Sequence, residues 1–534
     1  MNRRSLLRAA ACTAAGLAAG LRPVFAADAE IEVSLPPPAG PQISPHIYGH
    51  FIEHLGAVIY DGIWVGRDSK IPNVDGIRRQ FVDDMKRIGA PNYRWPGGCF
   101  ADGYHWRDGI GRGTRPRTYN YWQGQMPAGL DHTETNEFGI HEFMRLCRLT
   151  GAEPYLAANM GSGSPQEFHE WVQYCNAPAN TVSLAAERAA NGDSEPFGVK
   201  YWGVGNESWG CGGDMKPQEY ATLYRRFATQ YPAYPPRPFL VAVGPRGHSK
   251  DMDLEWTTDF FEAMKGQHSV VSGLSVHYYS DFRNTREKVA TFDARGWYDV
   301  IREGLRTESV IEAHWSAMGK YDPNHRTRLI VDEWGVWYPP GEETAPRHLL
   351  SQPLTLRDAL HTAVTFDVFN RHADKVAMAN VAQTINCLHS LFLAQGDPFI
   401  RTAVYSVFEM YRNHMGAQAV PIRVRCEDLT VTGSGGPVKM PGLSGSASFK
   451  DGMLALTLTN PSHDSPVTAR IRLAGGNAAE ARGVILTHAD MSARNTFDRP
   501  DEVKLAPLAV NPRGGLLEVA IPKHAVVSIE VRMS

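Results

Sequence analysis

Between His46 and about Val404 the chain repeats one pattern of apolar and polar positions. In each repeat, a short and mostly apolar run ends in a polar residue, and a longer stretch with helical spacing follows. Parallel strands that are buried on both faces are short and apolar throughout, and a helix connects each one to the next. The eight runs lie at residues 47–51, 92–95, 154–159, 199–207, 239–243, 274–277, 329–333 and 376–380. Eight such units predict a (β/α)8 barrel over residues 46–404.

The stretches between the runs favour helices, and the clearest amphipathic ones lie at residues 138–150, 217–230, 254–265 and 356–372. Ser164 followed by Pro165 is typical of the start of another helix. An open, doubly wound sheet has the same alternation and is the alternative fold. The GxGxxG turn that follows the first strand of a dinucleotide-binding sheet is absent, so the barrel is the better interpretation.

The pattern changes at about residue 405, where short alternating strands separated by Gly and Pro replace the strand–helix repeat. Residues 453–459, 467–473 and 525–531 are the clearest of these strands. They predict an all-β sandwich of the jelly-roll kind over residues 405–534. An isolated strand at residues 31–35, within the segment 28–45, has no partner nearby in the sequence. We expect it to pair with the C-terminal sandwich.

The first residues have the composition of an export signal. Arg3 and Arg4 precede an apolar, alanine-rich stretch at residues 9–21, and Val24-Phe25-Ala26 is typical of a cleavage site. Residues 1–27 therefore predict a signal of the twin-arginine type and a periplasmic or extracellular protein. A tethering helix is the alternative, although the stretch is short for a membrane span. No later segment approaches eighteen consecutive apolar residues, so we expect no membrane contact in the mature form.

Composition and charge narrow the function classes. The 534 residues are 43% hydrophobic and 21% charged, with a formal net charge of −3 and no basic block, which argues against nucleic-acid binding. Outside the signal there are six cysteines, none spaced like a zinc site and none in a CxxC motif. Disulfides are possible in a protein that is exported in the folded state but are not implied, and we expect plain buried thiols. They are Cys99, Cys147, Cys175, Cys211, Cys387 and Cys426.

Polar residues with catalytic chemistry stand where the predicted strands end, which is the functional face of a barrel. Glu207 follows the fourth strand and Glu333 ends the seventh. The other residues in such positions are Glu53, Arg94, Asn206, His277, Tyr279, Asp332 and Gln383. A pair of carboxylates at one pocket is what a glycosidase needs, whereas a single strand-end Glu often forms a surface salt bridge. Metal-assisted hydrolysis is a rival explanation, but there is no HExxH motif, and a serine hydrolase would need a GxSxG turn that is absent.

Four segments resemble the signature segments of the family 51 glycoside hydrolases, the α-L-arabinofuranosidases. The resemblance extends from about His46 to Arg412. The segments are Arg94-Trp95-Pro96-Gly97-Gly98, Thr135-Asn136-Glu137-Phe138-Gly139, Gly205-Asn206-Glu207 and Asp332-Glu333-Trp334.

The resemblance implies a role for each candidate residue. Glu207 corresponds to the general acid/base and Glu333 to the nucleophile. Arg94 is implied to keep Glu333 ionised, and His277 and Tyr279 to orient the two carboxylates. The residues implied to contact the sugar or to line its pocket are Glu53, Cys99, Asn206, Trp337 and Gln383. Cys99 replaces an Asn that touches the sugar in some relatives, and a thiol is a weaker hydrogen-bond partner. Trp337 fits an aromatic wall or plain packing equally well.

The resemblance also implies an activity. A retaining, exo-acting α-L-arabinofuranosidase would release terminal arabinofuranose from hemicellulose or oligosaccharides, with no cofactor and no metal, and relatives suggest a homo-oligomer. Three alternatives stay open at this point. The first is the same chemistry on β-xylosides or β-glucans, the second a carbohydrate-binding protein without catalysis, and the third a metal hydrolase.

Overall fold

The eight predicted strands lie side by side in chain order and close into a barrel of parallel strands. The structure is a computed structural model that describes residues 28–35, 40–127, 129–249, 251–285, 288–345, 347–433 and 436–534. The barrel strands are β1 (Gly49–Phe51), β2 (Asn92–Trp95), β3 (Glu153–Ala158), β4 (Tyr201–Val204), β5 (Phe239–Ala242), β6 (Gly273–Asp281), β7 (Arg328–Trp337) and β8 (Val376–Val381). The predicted barrel is confirmed. The predicted export signal lies outside the described residues.

Helices surround the barrel, and the α-helices of the described residues are α1 (Arg79–Ile88), α2 (Ile140–Thr150), α3 (Pro165–Asn176), α4 (Ser183–Asn191), α5 (Pro217–Thr229), α6 (Leu254–Ala263), α7 (Ala294–Gly319), α8 (Leu356–Arg371) and α9 (Ala403–Tyr411). The Ser164 side chain caps α3, as the sequence predicts. The helix predicted from residue 138 begins at Ile140 instead, because Gly139 is the cap and its N–H donates to the Glu142 carboxylate. No helix among the described residues is long and apolar enough to cross a membrane.

Side chains fill the end of the barrel that lies away from the carboxyl ends of the strands. Tyr155, Tyr201, Val241, Ile330 and Met378 come from different strands and pack into one buried cluster. Such a layer makes the lower barrel a packed core, so the functional groups are confined to the carboxyl ends of the strands.

The C-terminal region forms two mostly antiparallel sheets that share one core. One sheet contains Ile422–Cys426, Ala29–Ser34, Val467–Ala474, Leu516–Ile521 and Asn511–Arg513, in that order. The other contains Gln418–Val420, Ser444–Lys450, Met453–Asn460, Ala525–Met533, Ala478–Leu486 and Ala506–Leu508. Ile31, Leu456 and Ile529 are among the apolar side chains buried between them.

The N-terminal strand Ala29–Ser34 lies inside the first sheet. It pairs antiparallel with Ile422–Cys426 and parallel with Val467–Ala474. Within the described residues, the chain therefore contributes a strand to the sandwich, then forms the whole barrel, and afterwards returns to the sandwich. The domain boundary predicted at residue 405 falls within α9. After this helix, the next strand of the sandwich begins at Gln418.

A buried polar network joins the barrel to the sandwich. Asp367 of α8 accepts hydrogen bonds from the hydroxyls of Tyr411 (2.9 Å), Ser446 (2.9 Å) and Thr457 (3.0 Å). Burial raises the pKa of this carboxyl to about 6, although the nearby Arg371 and these hydrogen bonds oppose the shift. The network fixes the orientation of α8, the helix that connects β7 to β8.

Minor two-stranded pairs complete the described structure. They are Asn73–Val74 with Ile77–Arg78, Phe392–Ala394 with Phe399–Arg401, and Leu429–Gly433 with Gly436–Met440.

Candidate active site

A left-handed turn after β4 presents Glu207 to the centre of the barrel face. Gly205 has a φ of 89°, and Glu207 itself has a φ of 38°, which is uncommon for a residue with a side chain. The backbone N–H groups of Gly210 and Gly212 both donate to the Glu207 carbonyl and hold the turn. The Glu207 side chain keeps 18% of its surface exposed, whereas the Glu333 side chain keeps 7%.

Glu333 on β7 is surrounded by hydrogen-bond donors. Arg94 donates from Nη1 to Oε1 over 2.7 Å, and the Tyr279 hydroxyl donates to Oε2 over 2.8 Å. Burial alone would raise the pKa of Glu333. The charges of His277 and Arg94, together with the two hydrogen bonds, outweigh burial and hold this pKa below its usual value. The carboxylate form of Glu333 is therefore the stable one.

His277 on β6 lies between the two carboxylates. Its Nδ1 atom is 2.9 Å from Glu207 Oε1 and 3.5 Å from Glu333 Oε2. Burial would lower the pKa of the imidazole, but the negative charge of Glu333 and the bond to Glu207 raise it overall. One oxygen of Glu207 and one of Glu333 lie within 4.8 Å of each other and of the ring nitrogen.

Arg94 on β2 contacts residues of β7 and of the turn after β4. Its Nη2 donates to Asn206 Oδ1 over 2.7 Å, and its Nε lies 3.5 Å from Asp332 Oδ2. The guanidinium stacks on the Phe51 ring, 4.6 Å from the ring centroid. These contacts, with the bond to Glu333, use most of the planar donor fork of the arginine. Asn206 thus accepts from Arg94 through Oδ1, and its amide nitrogen donates to Cys211 Sγ over 3.7 Å.

Glu53 lies in the loop after β1 and is held by backbone and side-chain donors. Its Oε1 accepts from the N–H groups of Gly98 (3.1 Å) and Phe100 (3.0 Å), and its Oε2 accepts from Gln383 Nε2 (2.8 Å). Burial, and then the charge of Glu333, raise the pKa of Glu53 to about 7. Gln383 Oε1 also accepts from the Glu53 N–H over 2.8 Å, so Gln383 positions Glu53 through two hydrogen bonds.

Two glycines allow the loop after β2 to approach both carboxylates. A Cβ atom on Gly98 would lie 2.8 Å from Glu333 Oε1, and one on Gly97 would lie 2.7 Å from Glu53 Cγ. Neither position has room for a side chain while the carboxylates stay in place. This lack of space explains why glycines occupy positions 97 and 98, directly after Arg94-Trp95-Pro96.

The expectation that Cys99 and Cys211 are plain thiols is wrong. They form a disulfide with a Cα–Cα distance of 5.5 Å across 112 residues of sequence. Cys99 therefore has no S–H to offer a sugar, which corrects its predicted role as a thiol hydrogen-bond partner. Both sulfur atoms adjoin Glu207 Oε2, at 3.8 Å for Cys99 and 3.6 Å for Cys211. Of the other cysteines, Cys147, Cys175 and Cys387 are free and buried, and Cys426 is free and partly exposed.

Trp337 lies at the end of β7, partly exposed. Its ring meets the Tyr279 ring edge-on at 5.2 Å, and the Arg283 guanidinium stacks on it at 4.3 Å. The structure thus places Trp337 beside a site residue, a position that suits an aromatic wall and plain packing alike.

Sequence reasoning missed two buried groups around the site. Tyr155 donates to Asp332 over 2.8 Å from inside the barrel. Asp102 accepts from the N–H groups of Met160 and Gly161, both at 3.0 Å, and so joins the loops after β2 and β3. Burial raises the pKa of Asp102 to about 7. Neither residue stands at a predicted strand end, so the strand-end rule could not find them.

Comparison with known proteins agrees with this geometry. Residues 84–296 match the model of the α-L-arabinofuranosidase 1 domain, and residues 332–525 match that of the α-L-arabinofuranosidase C-terminal domain. An intracellular exo-α-L-arabinofuranosidase of Bacteroides ovatus is 38% identical over 92% of this chain and 94% of its own. The chain belongs to the family 51 α-L-arabinofuranosidases.

Solved structures of family 51 arabinofuranosidases have the same fold. The crystal structure of the enzyme from Xanthomonas axonopodis pv. citri superposes with a TM-score of 0.87 and 37% identity, covering 95% of this chain and all of that one. The Thermotoga maritima α-L-arabinofuranosidase in complex with arabinose gives a TM-score of 0.81 and 29% identity, over 94% of this chain and 99% of the other. As a family 51 arabinofuranosidase, the chain is a glycoside hydrolase with the barrel and sandwich that its sequence predicts.

Proposed function

We propose that the protein is a retaining, exo-acting α-L-arabinofuranosidase in which Glu333 is the nucleophile and Glu207 the general acid/base. The observation that carries the mechanism is the separation of the two carboxylates, whose nearest oxygens lie within 4.8 Å. Retaining glycosidases hold their carboxyl groups about 5–5.5 Å apart, whereas inverting ones need about 6.5–9.5 Å to admit a water molecule.

Glu333 suits the nucleophile because its surroundings keep it ionised. Arg94 and Tyr279 each donate to one of its oxygens, and His277, whose pKa is raised, adds a positive charge beside it whenever the imidazole is protonated. Attack on the anomeric carbon forms an ester between sugar and enzyme, and the bond to the leaving oxygen breaks. The charge of Glu333 disappears in this step.

Glu207 suits the acid/base because one of its oxygens is free of strong donors. His277 occupies Oε1, while Oε2 faces the disulfide sulfurs, which carry no hydrogen. A protonated Glu207 gives its proton to the leaving oxygen in the first step. In the second step the same carboxylate takes a proton from water, which attacks the anomeric carbon and releases Glu333.

The substrate assignment rests on the family and on the groups around the carboxylates. Glu53, Gln383 and the Asn206 amide nitrogen offer acceptors and donors for the hydroxyls of a small sugar. Related enzymes are named exo-α-L-arabinofuranosidases, and one solved relative is a complex with arabinose. We assign terminal, non-reducing α-L-arabinofuranosyl residues of hemicellulose or arabino-oligosaccharides as the substrate.

A panel of p-nitrophenyl glycosides tests the substrate assignment. The turnover rate of the α-L-arabinofuranoside should exceed that of the β-xyloside. It should also exceed the rate at which the enzyme hydrolyses a β-glucan. The assignment to arabinose is wrong if either alternative is turned over about tenfold better. Binding of arabino-oligosaccharides without turnover of any compound would favour the non-catalytic alternative.

We also propose that the protein is exported through the twin-arginine route, on the basis of residues 1–27. Replacing Arg3 and Arg4 together with lysine should retain the protein in the cytoplasm, because the receptor reads the arginine pair. Unchanged export of the double variant would indicate the general secretory route.

We further propose a homo-oligomer, which the family resemblance implies. Light scattering tests this proposal, and a measured mass of one chain would contradict it.

A further inference from the structure

The Cys99–Cys211 disulfide places two sulfur atoms against the free oxygen of Glu207. The three atoms are Cys99 Sγ, Cys211 Sγ and Glu207 Oε2, with sulfur–oxygen distances of 3.8 and 3.6 Å. These side chains form a cluster whose possible ligand atoms all lie within 4.8 Å of one another. All three are partly exposed, so the cluster can be reached from solvent.

We propose that reduction of this disulfide converts the cluster into a binding site for a soft divalent cation, Zn²⁺ or Cd²⁺, which blocks the enzyme. The inference goes beyond the proposed hydrolysis, which uses no metal. A dithiol reductant gives two electrons and two protons to the disulfide and becomes a disulfide itself. The two new thiols then lose their protons as they bind the cation, which Glu207 Oε2 also contacts.

The spacing of the cluster matches a tetrahedral zinc site. Bonds of about 2.3 Å to sulfur and about 2.1 Å to a carboxylate oxygen, at a tetrahedral angle, separate sulfur from oxygen by about 3.6 Å. The two distances in the structure already have this size. Only the two sulfur atoms, which are bonded to each other in the oxidised form, must separate to about 3.8 Å, and rotations of the cysteine side chains can supply this movement.

The loops that carry the ligands are held in place without the disulfide bond. The Glu207 turn is closed by the N–H groups of Gly210 and Gly212, and Cys211 lies between them. On the other side, the N–H groups of Gly98 and Phe100, which flank Cys99, donate to Glu53. Reduction therefore leaves both thiols near their present positions, and two thiolates are the ligands that soft cations prefer.

The chemical consequence concerns the acid/base. A cation on Oε2 prevents Glu207 from carrying a proton on that oxygen, while His277 occupies the other. The oxidised enzyme lacks the two thiolates. The other cluster of possible ligands found among the described residues is that of Glu207, His277 and Glu333, in which Glu333 already accepts from Arg94 and Tyr279. We therefore expect the reduced form to be the one that binds the cation tightly.

The test compares oxidised enzyme with enzyme that has been reduced by a phosphine and freed of reductant without oxygen. Titration with Cd²⁺ should produce thiolate-to-cadmium absorption in the ultraviolet for the reduced form alone, at one ion per chain. Added Zn²⁺ should lower the arabinofuranosidase rate of the reduced form by about a hundredfold, the scale of a lost acid/base, and a chelator should restore it.

Variants separate this site from the other thiols. A double variant Cys99→Ser, Cys211→Ser should show no cadmium absorption, whereas the control Cys426→Ser, which removes a free and partly exposed thiol elsewhere, should behave like the parent. Glu207→Gln should keep the absorption but bind Cd²⁺ about tenfold more weakly or worse, because an amide oxygen is a poorer ligand. Each rate is compared with the metal-free rate of the same variant.

Several results would overturn the proposal. These are no absorption from the reduced enzyme, equal absorption from the double serine variant, or equal inhibition of the oxidised enzyme. Loss of the near-ultraviolet circular dichroism on reduction would overturn it too, because the site needs folded loops. Cadmium binding does not depend on the role of Glu207, so an error in the proposed hydrolysis would appear separately, as a low rate before any metal is added.

Discussion

Arg94 is one of the residues on which the electrostatics of the site depend, together with His277. It is buried, it donates to Glu333 and Asn206, and its Nε faces Asp332. A buried carboxylate without a cation would take up a proton, since burial disfavours the charged form. This guanidinium therefore helps to keep the nucleophile ionised, together with His277 and Tyr279.

Replacing Arg94 with Met should lower turnover by about a hundredfold or more, equivalent to roughly 3 kcal/mol of barrier. Methionine keeps much of the side-chain volume but removes the charge and all donors. The measurement is kcat on the aryl arabinofuranoside. Arg107→Met is the matched control, because Arg107 lies at the surface, where it pairs with Glu170 and Glu187 and stacks on the Trp106 ring. Near-parental turnover of Arg94→Met would mean that Arg94 has only a structural role.

Tyr279→Phe should move the acid limb of the kcat/KM profile to higher pH. The Tyr279 hydroxyl stabilises the Glu333 carboxylate, so its removal raises the pKa of Glu333, and more enzyme is protonated and inactive at low pH. A hydrogen bond to a charged group is worth about 1.5–3 kcal/mol, which corresponds to a shift of about one pH unit or more. The control Tyr278→Phe loses a bond to the Glu303 carbonyl instead and should leave the limb in place. An unmoved or lowered limb in Tyr279→Phe would contradict this explanation.

At the residue scale, the sequence predicts well the groups that chemistry requires at strand ends. Glu207, Glu333, Arg94 and His277 follow from the strand-end rule, and the structure brings them together. The disulfide could not be predicted, because its cysteines are 112 residues apart and pairing depends on which loops meet in space. Asp102 is a similar case, since its carboxylate serves backbone groups of another loop.

At the scale of elements, the barrel strands are the part of the fold that the sequence specifies most directly. Each is short, apolar and followed by polar residues, and each appears within a few residues of its predicted position. Helix starts are less certain from the pattern alone. The first helical residue of α2 is set by the cap at Gly139 and not by the apolar Phe138 before it.

Ile31→Ala tests the importance of the N-terminal strand. Ile31 is buried between the sandwich sheets, and its loss should lower the free energy of unfolding of the sandwich by about 2–5 kcal/mol. Urea unfolding followed by circular dichroism measures it. The control Glu32→Ala removes a surface ion pair with Arg472 from the other face of the same strand and should cost about 1 kcal/mol or less. Equal effects of the two substitutions would mean that the strand adds little to the core.

At the scale of the whole molecule, the order of elements explains why the sandwich was predicted as a class and not in detail. One of its two sheets pairs residues 29–34 with residues 422–426 and 467–474, and the whole barrel lies between these segments in the sequence. Alternation along a strand shows which face is buried but not which strand is its neighbour. In the barrel, by contrast, neighbours in sequence are neighbours in space, so the strand order follows from the repeat itself.

The central claim is that Glu333 and Glu207 divide the chemistry as nucleophile and acid/base. Their exchange would leave the fold and the substrate unchanged, so only the reaction can distinguish them. Azide is suitable because it is a nucleophile that needs no base. In Glu207→Ala, an aryl leaving group departs without acid help and the ester with Glu333 forms, but no base activates water. In Glu333→Ala, azide can enter from the nucleophile side and displace the leaving group in one step.

The decisive measurement is the anomeric configuration of the arabinosyl azide that each variant releases from an activated aryl arabinofuranoside. The account predicts that azide accelerates Glu207→Ala and gives the retained product through two displacements. It predicts the inverted product from Glu333→Ala. Retained azide from the Glu333 variant and inverted azide from the Glu207 variant would show that the roles are reversed. Parental activity in both variants, with no azide product, would remove both residues from the mechanism.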